Sequence, residues 1–202
     1  MAVTVALDAG HGGYDSGAIG KDADGNVVVK EKDANLSIAQ KLAQRLKNAG
    51  IIVIMTRSAD VALGDTVMAD LVARASIANN ASADLFISIH NNAFTDPEAT
   101  GTSVLYAGLS NNGGYGISSQ ELAENIQTPL VKATGLKDRG IVRSPEMVVL
   151  KRTIMPAVLI ECAFVSSYTD QKVLTSDAKL DAIASAICDG IITSLRQMGA
   201  IK

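Results

Sequence analysis

The sequence predicts an α/β fold: a single domain over residues 1–202, with a twisted, mostly parallel β-sheet and α-helices on both faces. Three observations predict it. Short continuous apolar runs recur between amphipathic helical stretches, and strands buried on both faces read as such runs rather than as alternations. The runs at 3–7, 51–55 and 85–89 are separated by helical patterns, giving a βαβα order. The composition is 48% hydrophobic but only 3% aromatic, with no Trp, so the interior has to be aliphatic. A chain of 202 residues is long enough to bury one substantial core.

Taken in order, Val3-Thr4-Val5-Ala6-Leu7 reads as a buried strand stopped by the glycines of Asp8-Ala9-Gly10-His11-Gly12-Gly13. Loop chemistry follows to about residue 26, with Asp22-Ala23-Asp24-Gly25-Asn26 a turn signal, and Val27-Val28-Val29 reads as a short edge strand. Lys30-Glu31-Lys32-Asp33 leads into a helix with the stripe Leu36, Ala39, Leu42, Ala43 and Leu46, closed by Asn48-Ala49-Gly50. Ile51–Met55 is the next strand, and 65–79 returns to helical spacing with Val67, Leu71, Ala75 and Ala78 on the inner side. A strand ending at His90 and another at Thr102–Tyr106 precede a loop at 110–116. A helix follows from about 118 to 134. Val148-Val149-Leu150 and Pro156–Glu161 read as the last extended pieces, and a helix carrying Leu180, Ile183, Ala184, Ile187, Ile191, Leu195 and Met198 closes the chain.

The 18 basic and 21 acidic residues leave a net charge of -3, which gives little attraction for phosphate backbones or anionic lipid, so nucleic acid and membrane are not expected as partners. Cys162 and Cys188 are too few for a disulfide framework and read as small buried hydrophobes. The start of the chain is not a secretory signal, since Asp8 and the glycine loop interrupt its apolar run, and no run approaches a membrane span. The expectation is a protein made in the cytoplasm, or a domain excised from a longer secreted one.

The chain has two histidines, and they stand in matching places: His11 just past the first strand, His90 at the end of the third. Glu161 likewise ends the apolar run of the last strand, where an unpaired carboxylate is costly to bury. The carboxyl edge of a parallel sheet is where ligands bind. Catalytic zinc usually takes three protein ligands and a water, so two histidines call for a carboxylate. Asp15, Glu31, Asp33, Glu98, Glu146 and Glu161 are candidates, and spacing alone does not decide among them. Glu31 is favoured because it lies at a helix entrance flanked by loop, although between two lysines it also fits a solvated helix start.

These residues resemble the zinc-dependent N-acetylmuramoyl-L-alanine amidases of peptidoglycan, of the type with a His-Glu-His metal site. The resemblance runs through Asp8–Gly13 with Asp15, Gly17 and Ala18; Glu31-Lys32 with Asn35-Leu36; Arg74 with Ala78-Asn79; and Ser88–Ala93. It continues through Gly101-Thr102, Asp138-Arg139-Gly140, Val149-Leu150 and Met155–Leu159, to Glu161 and Phe164; Ala163 departs from the glycine that relatives often carry. The resemblance implies one Zn2+ held by His11, Glu31 and His90, Glu161 as catalytic acid/base, and Arg139 near the substrate. It implies that water attacks the lactyl carbonyl of N-acetylmuramic acid while Glu161 carries its proton to the amine of L-alanine. Action at the bacterial cell wall follows, as a lysin, a mother-cell autolysin or an excised catalytic domain. Three rivals stand beside it: a cysteine enzyme built on Cys162, a wall-binding module without activity, and another zinc hydrolase of the wall polymer, a carboxypeptidase or deacetylase. The short loop from Asn91 to Gly101 leaves no room for an inserted blocking helix, so the crevice is expected to be open.

Overall fold

The computed structural model describes residues 2–108 and 115–202. Six strands form the main sheet: β1 (Thr4–Ala9), β4 (Ile52–Met55), β5 (Leu85–Asn92), β6 (Thr102–Tyr106), β7 (Asp138–Arg143) and β8 (Ala157–Phe164). Their order is β4-β1-β5-β8-β6-β7. All neighbours are parallel except β6 against β8. The sheet is therefore mixed but mostly parallel, as its apolar runs imply.

Helices α1 (Glu31–Asn48), α3 (Ser119–Thr134) and α6 (Asp177–Gln197) share one apolar cluster with the sheet. Ile38, Leu42 and Leu46 come from α1, Leu122, Ile126 and Leu130 from α3, and Ile183, Ile187, Ile191 and Leu195 from α6. A smaller cluster holds Ala78 of α2 (Val67–Asn80), Val149 and Leu150 of α4 (Val148–Arg152), and the strand residues Ala6, Phe86 and Leu159. Residues of one parity along β5, and along β8 as far as Cys162, enter one cluster and those of the other parity the second, so helices cover both faces.

Several local expectations are corrected. Val148–Leu150 is helical, not extended: Val149 and Leu150 both turn inward while Lys151 and Arg152 stay exposed, a spacing that one helical turn provides and a strand does not. Val27–Val29 is a short edge strand as read, β3 (Val27–Lys30), but its partner is β2 (Ile19–Lys21), a strand hidden within the supposed loop, with which it pairs antiparallel in a sheet of their own. Val67 begins α2 behind the Thr66 cap and is 59% exposed, so the inner stripe starts at Leu71. β7 and α5 (Tyr168–Leu174) escape sequence reading altogether. Of the loop expected at 110–116, positions 110–114 lie outside the described residues.

The strand ends matter most for function. β5 runs past His90 to Asn92, and β8 past Glu161 to Phe164, so neither residue ends its strand. The register pairs His90 directly with Glu161, and Asn92 with Phe164 after an irregularity. Between β5 and β6 the chain holds turns and no helix.

Candidate metal centre

The glycine loop delivers His11 with unusual backbone geometry. His11 has φ of 61°, the left-handed region that side chains other than glycine rarely adopt. Two buried arginines clamp the loop in that shape. Arg74 donates to Asp8 and Asp70 and to the carbonyls of Ala9 and His11, and Arg57 donates to the carbonyls of Ala9, Gly10 and Lys32. Asp8, fully buried, also accepts from Thr56 and Ser88. Many bonds thus hold a strained residue in place, as a fixed site requires.

Three donor atoms converge at the end of this loop. Glu31 Oε1 lies 3.1 Å from His11 Nε2 and 2.9 Å from His90 Nδ1. The three side chains form the one His/Cys/Asp/Glu cluster among the described residues whose donor atoms all lie within 4.8 Å of one another. Behind them stands a supporting layer. Asp15 Oδ2 is 2.7 Å from His11 Nδ1, the Ala18 amide donates to Glu31 Oε2, and the Asn91 amide donates to Glu31 Oε1. Asn35 reaches Glu31 Oε1 and the Gly10 carbonyl, and accepts from Asn91.

Glycine is required where the rings pass closest. A Cβ on Gly10 would sit 2.1 Å from His90 Nε2, and one on Gly17 would sit 2.6 Å from Glu31 Oε2. Gly10 therefore serves by close approach, while Gly12 and Gly13 supply the turn through positive φ.

The electrostatics suit a cation. Burial opposes charge on Glu31, but its bonds to both histidines outweigh it and hold the carboxyl well below the usual range. Burial also opposes the His11 proton, yet Glu31 and Asp15 together raise that pKa to about 9. Two imidazole nitrogens and an ionised carboxylate oxygen, packed this tightly, fit one metal ion, which would take the place of the shared protons.

Glu161, facing His90 across the β5/β8 ladder, behaves differently. Its Oε2 is buried with no hydrogen-bond partner among the described residues, and burial pushes its carboxyl up to about 7 against the pull of His90. A carboxyl that titrates near neutrality can both take and give a proton. Cys162, next in the chain, turns the other way into the apolar core, and burial pushes its thiol up, which suits packing and not nucleophilic attack. Cys188 is only half-buried.

Arg139 stands apart from the donor cluster. It is exposed, donates from Nη1 to the Thr100 carbonyl at 3.0 Å, and lies 5.0 Å over the Phe164 ring. Arg57 and Asp170 were not singled out in the sequence. Arg57 carried a usable signal, following an apolar strand as His11 does; Asp170 at an ordinary helix start carried none.

A mostly parallel sheet with a His-Glu-His cluster and a buried glutamate beside it at one edge is the arrangement of a metal-binding hydrolase site. The chain belongs to the N-acetylmuramoyl-L-alanine amidase family, whose pattern matches residues 5–193. It is 35% identical over 193 residues to the N-acetylmuramoyl-L-alanine amidase LytC of Bacillus subtilis, covering 96% of this chain and 36% of that protein. It is 37% identical over 193 residues to the endolysin of Bacillus phage SPP1, covering 95% of this chain and 65% of that one. The chain thus spans less than two thirds of either relative. The crystal structure of an N-acetylmuramoyl-L-alanine amidase from Clostridium difficile 630 superposes with a TM-score of 0.85 at 36% identity, covering 96% of this chain and 97% of the other. Among the described residues no helix is long and apolar enough to cross a membrane.

Proposed function

We propose that this chain is a zinc amidase domain that hydrolyses the bond between the lactyl group of N-acetylmuramic acid and L-alanine in peptidoglycan. The observation that carries the reading is the unpartnered, buried Glu161 Oε2 beside the His-Glu-His cluster. Family membership names the substrate polymer and hence the bacterial cell wall as the place of action. Residues 1–202 act as one catalytic domain, a reading supported by a core cluster that draws on residues from Val3 to Leu195.

His11 Nε2, Glu31 Oε1 and His90 Nδ1 would hold the zinc, a donor set common to catalytic sites. When bound, zinc supplies hydroxide near neutral pH and polarises a carbonyl. The chain's own groups do the rest. Asp15 fixes the tautomer of His11 by occupying Nδ1, and the amides of Ala18 and Asn91 fix the carboxylate of Glu31. Glu161 takes the proton lost by the attacking water and delivers it to the departing amine of L-alanine. Arg139 contacts the peptide stem.

Glu161→Ala tests the reading. It is expected to fold, to retain its zinc, and to lose about 100-fold or more in peptide release from purified peptidoglycan. Undiminished release would remove Glu161 from the mechanism.

A further inference from the structure

Beyond the His90–Glu161 pair the two strands continue and open into a cavity of ≈ 390 Å³. Asn92, Phe94, Thr100, Lys137, Arg139 and Phe164 line it, with the acidic Asp96 and Glu98 on the same loop as Thr100. Phe164 lies three residues past Glu161 along β8, about 10 Å at strand spacing. A peptide leaving the scissile bond in extended form covers about 7 Å of that distance in two residues, and a carboxyl branching from the second residue, met by the long arginine side chain, spans the rest.

Both contacts that hold the Arg139 guanidinium hang from one buried carboxylate. Asp170, fully buried at the start of α5, accepts from Thr100 Oγ1 and from the amides of Gly101 and Phe164. Thr100 in turn offers its carbonyl to Arg139 Nη1, and Phe164 offers its ring face. A Cβ on Gly101 would come within 2.9 Å of Arg139 Cγ, so the loop also packs against the arginine's stem. Among the described residues nothing accepts from Arg139 Nη2 or Nε and no acidic side chain pairs with it. The result is a guanidinium braced from below by π-face and carbonyl, with donors left for a ligand.

Resting on the amidase reading, we propose that Arg139 receives a free carboxylate of the peptide stem, and that Asp170 is the positioning residue that aims it. The residue after L-alanine in a stem is D-glutamate joined through its side chain, and its α-carboxyl is either free or amidated. A planar guanidinium binds a carboxylate through paired charge-assisted bonds that a carboxamide does not reproduce. Although Asp96 and Glu98 make the cavity amphoteric, the carboxylate binds at the Arg139 end, where the guanidinium is held by an anchored loop. The enzyme thereby discriminates free-acid stems from amidated ones.

The test uses two muropeptides that differ only at this α-carboxyl, acid or amide, with kcat and KM measured for each on the zinc-loaded protein. Wild type is expected to favour the acid about tenfold in kcat/KM, chiefly through KM. Asp170→Asn and Arg139→Gln are each expected to collapse that preference toward one, and the double variant to collapse it no further. Thr100→Val keeps the Asp170 carboxylate buried and removes one of its bonds; it is expected to lower the preference partially, and serves if Asp170→Asn fails to fold. Equal kcat/KM on the two substrates by wild type, or a preference untouched by these variants, overturns the proposal. Absence of cleavage of both substrates by wild type overturns the amidase reading itself.

Discussion

Glu31 Oε1 faces His11, His90, Asn35 and the Asn91 amide, while Oε2 takes the Ala18 amide. Replacing the carboxylate with an amide puts an NH2 among donors and removes the charge, so Glu31→Gln is expected to weaken zinc binding by more than the roughly 10–100-fold typical of an outer-shell change. Metal analysis after dialysis checks it; full occupancy would reassign the site. The protons of the metal-free cluster give a second test. His11 has its pKa raised to about 9 because Glu31 and Asp15 prevail over burial. Its stabilising contribution is therefore complete below about pH 6.5 and lost as pH rises through about 9, while the metal competes with the same proton. Apparent zinc affinity measured against a competing chelator is expected to climb from pH 6.5 to 9, and a flat profile would show that His11 is not a ligand.

Among the elements, β1, β5 and the start of α1 bring the donors together, and α2 locks them. Arg74 reaches from α2 to Asp8 on β1 and to the backbone of His11, and it is 1% exposed. Arg74→Ala leaves Asp8 buried without its countercharge and is expected to cost about 3–5 kcal/mol in denaturant unfolding. A loss under 1 kcal/mol would mean that the loop is held by Arg57 alone. The α3–α6 contact is equally close: a Cβ on Gly190 would meet the Asn125 carbonyl at 2.7 Å. Gly190→Leu is expected to separate these helices and lower Tm by several degrees, while metal occupancy of the His-Glu-His cluster, built on β5, the loop after β1 and the start of α1, is expected to stay unchanged.

These elements were unevenly legible. Continuous apolar runs exposed β1, β4, β5, β6 and β8, and the 3.6 period exposed α1, α2, α3 and α6. β7 hid because its residues are half-buried or exposed, with no apolar run to mark it, and α4 because five residues hold too few turns to show a period. At the site, scarcity did the work: two histidines in 202 residues, each after an apolar run, point to one place. Glu31 could not be read from spacing because its approach to both histidines depends on the β2–β3 hairpin, which returns the chain so that the Ala18 carbonyl accepts the Glu31 amide. Asp15 stood among the candidate carboxylates, but its bond to His11 Nδ1 depends on the turn at Gly12 and Gly13, a three-dimensional fact. Asp170 was invisible for the same reason, since its partners lie 6 to 70 residues away.

On the scale of the whole molecule, one sheet edge gathers the His-Glu-His cluster, the neutral-range carboxyl of Glu161 and a cavity further along the same two strands. Helices pack on both faces behind that edge, and among the described residues the connection from β5 to β6 holds turns and no helix. On the proposed reading, family membership points to the amide bond on which this arrangement would act. The most direct measurement is mass spectrometry of the products from a defined muropeptide, with protein stripped of metal by chelator and then reloaded with zinc. The expected result is a free L-alanine amino terminus and a lactyl carboxylic acid, formed only by the reloaded protein. Cleavage at any other bond, or equal cleavage by the stripped protein, would contradict the assignment of a zinc amidase.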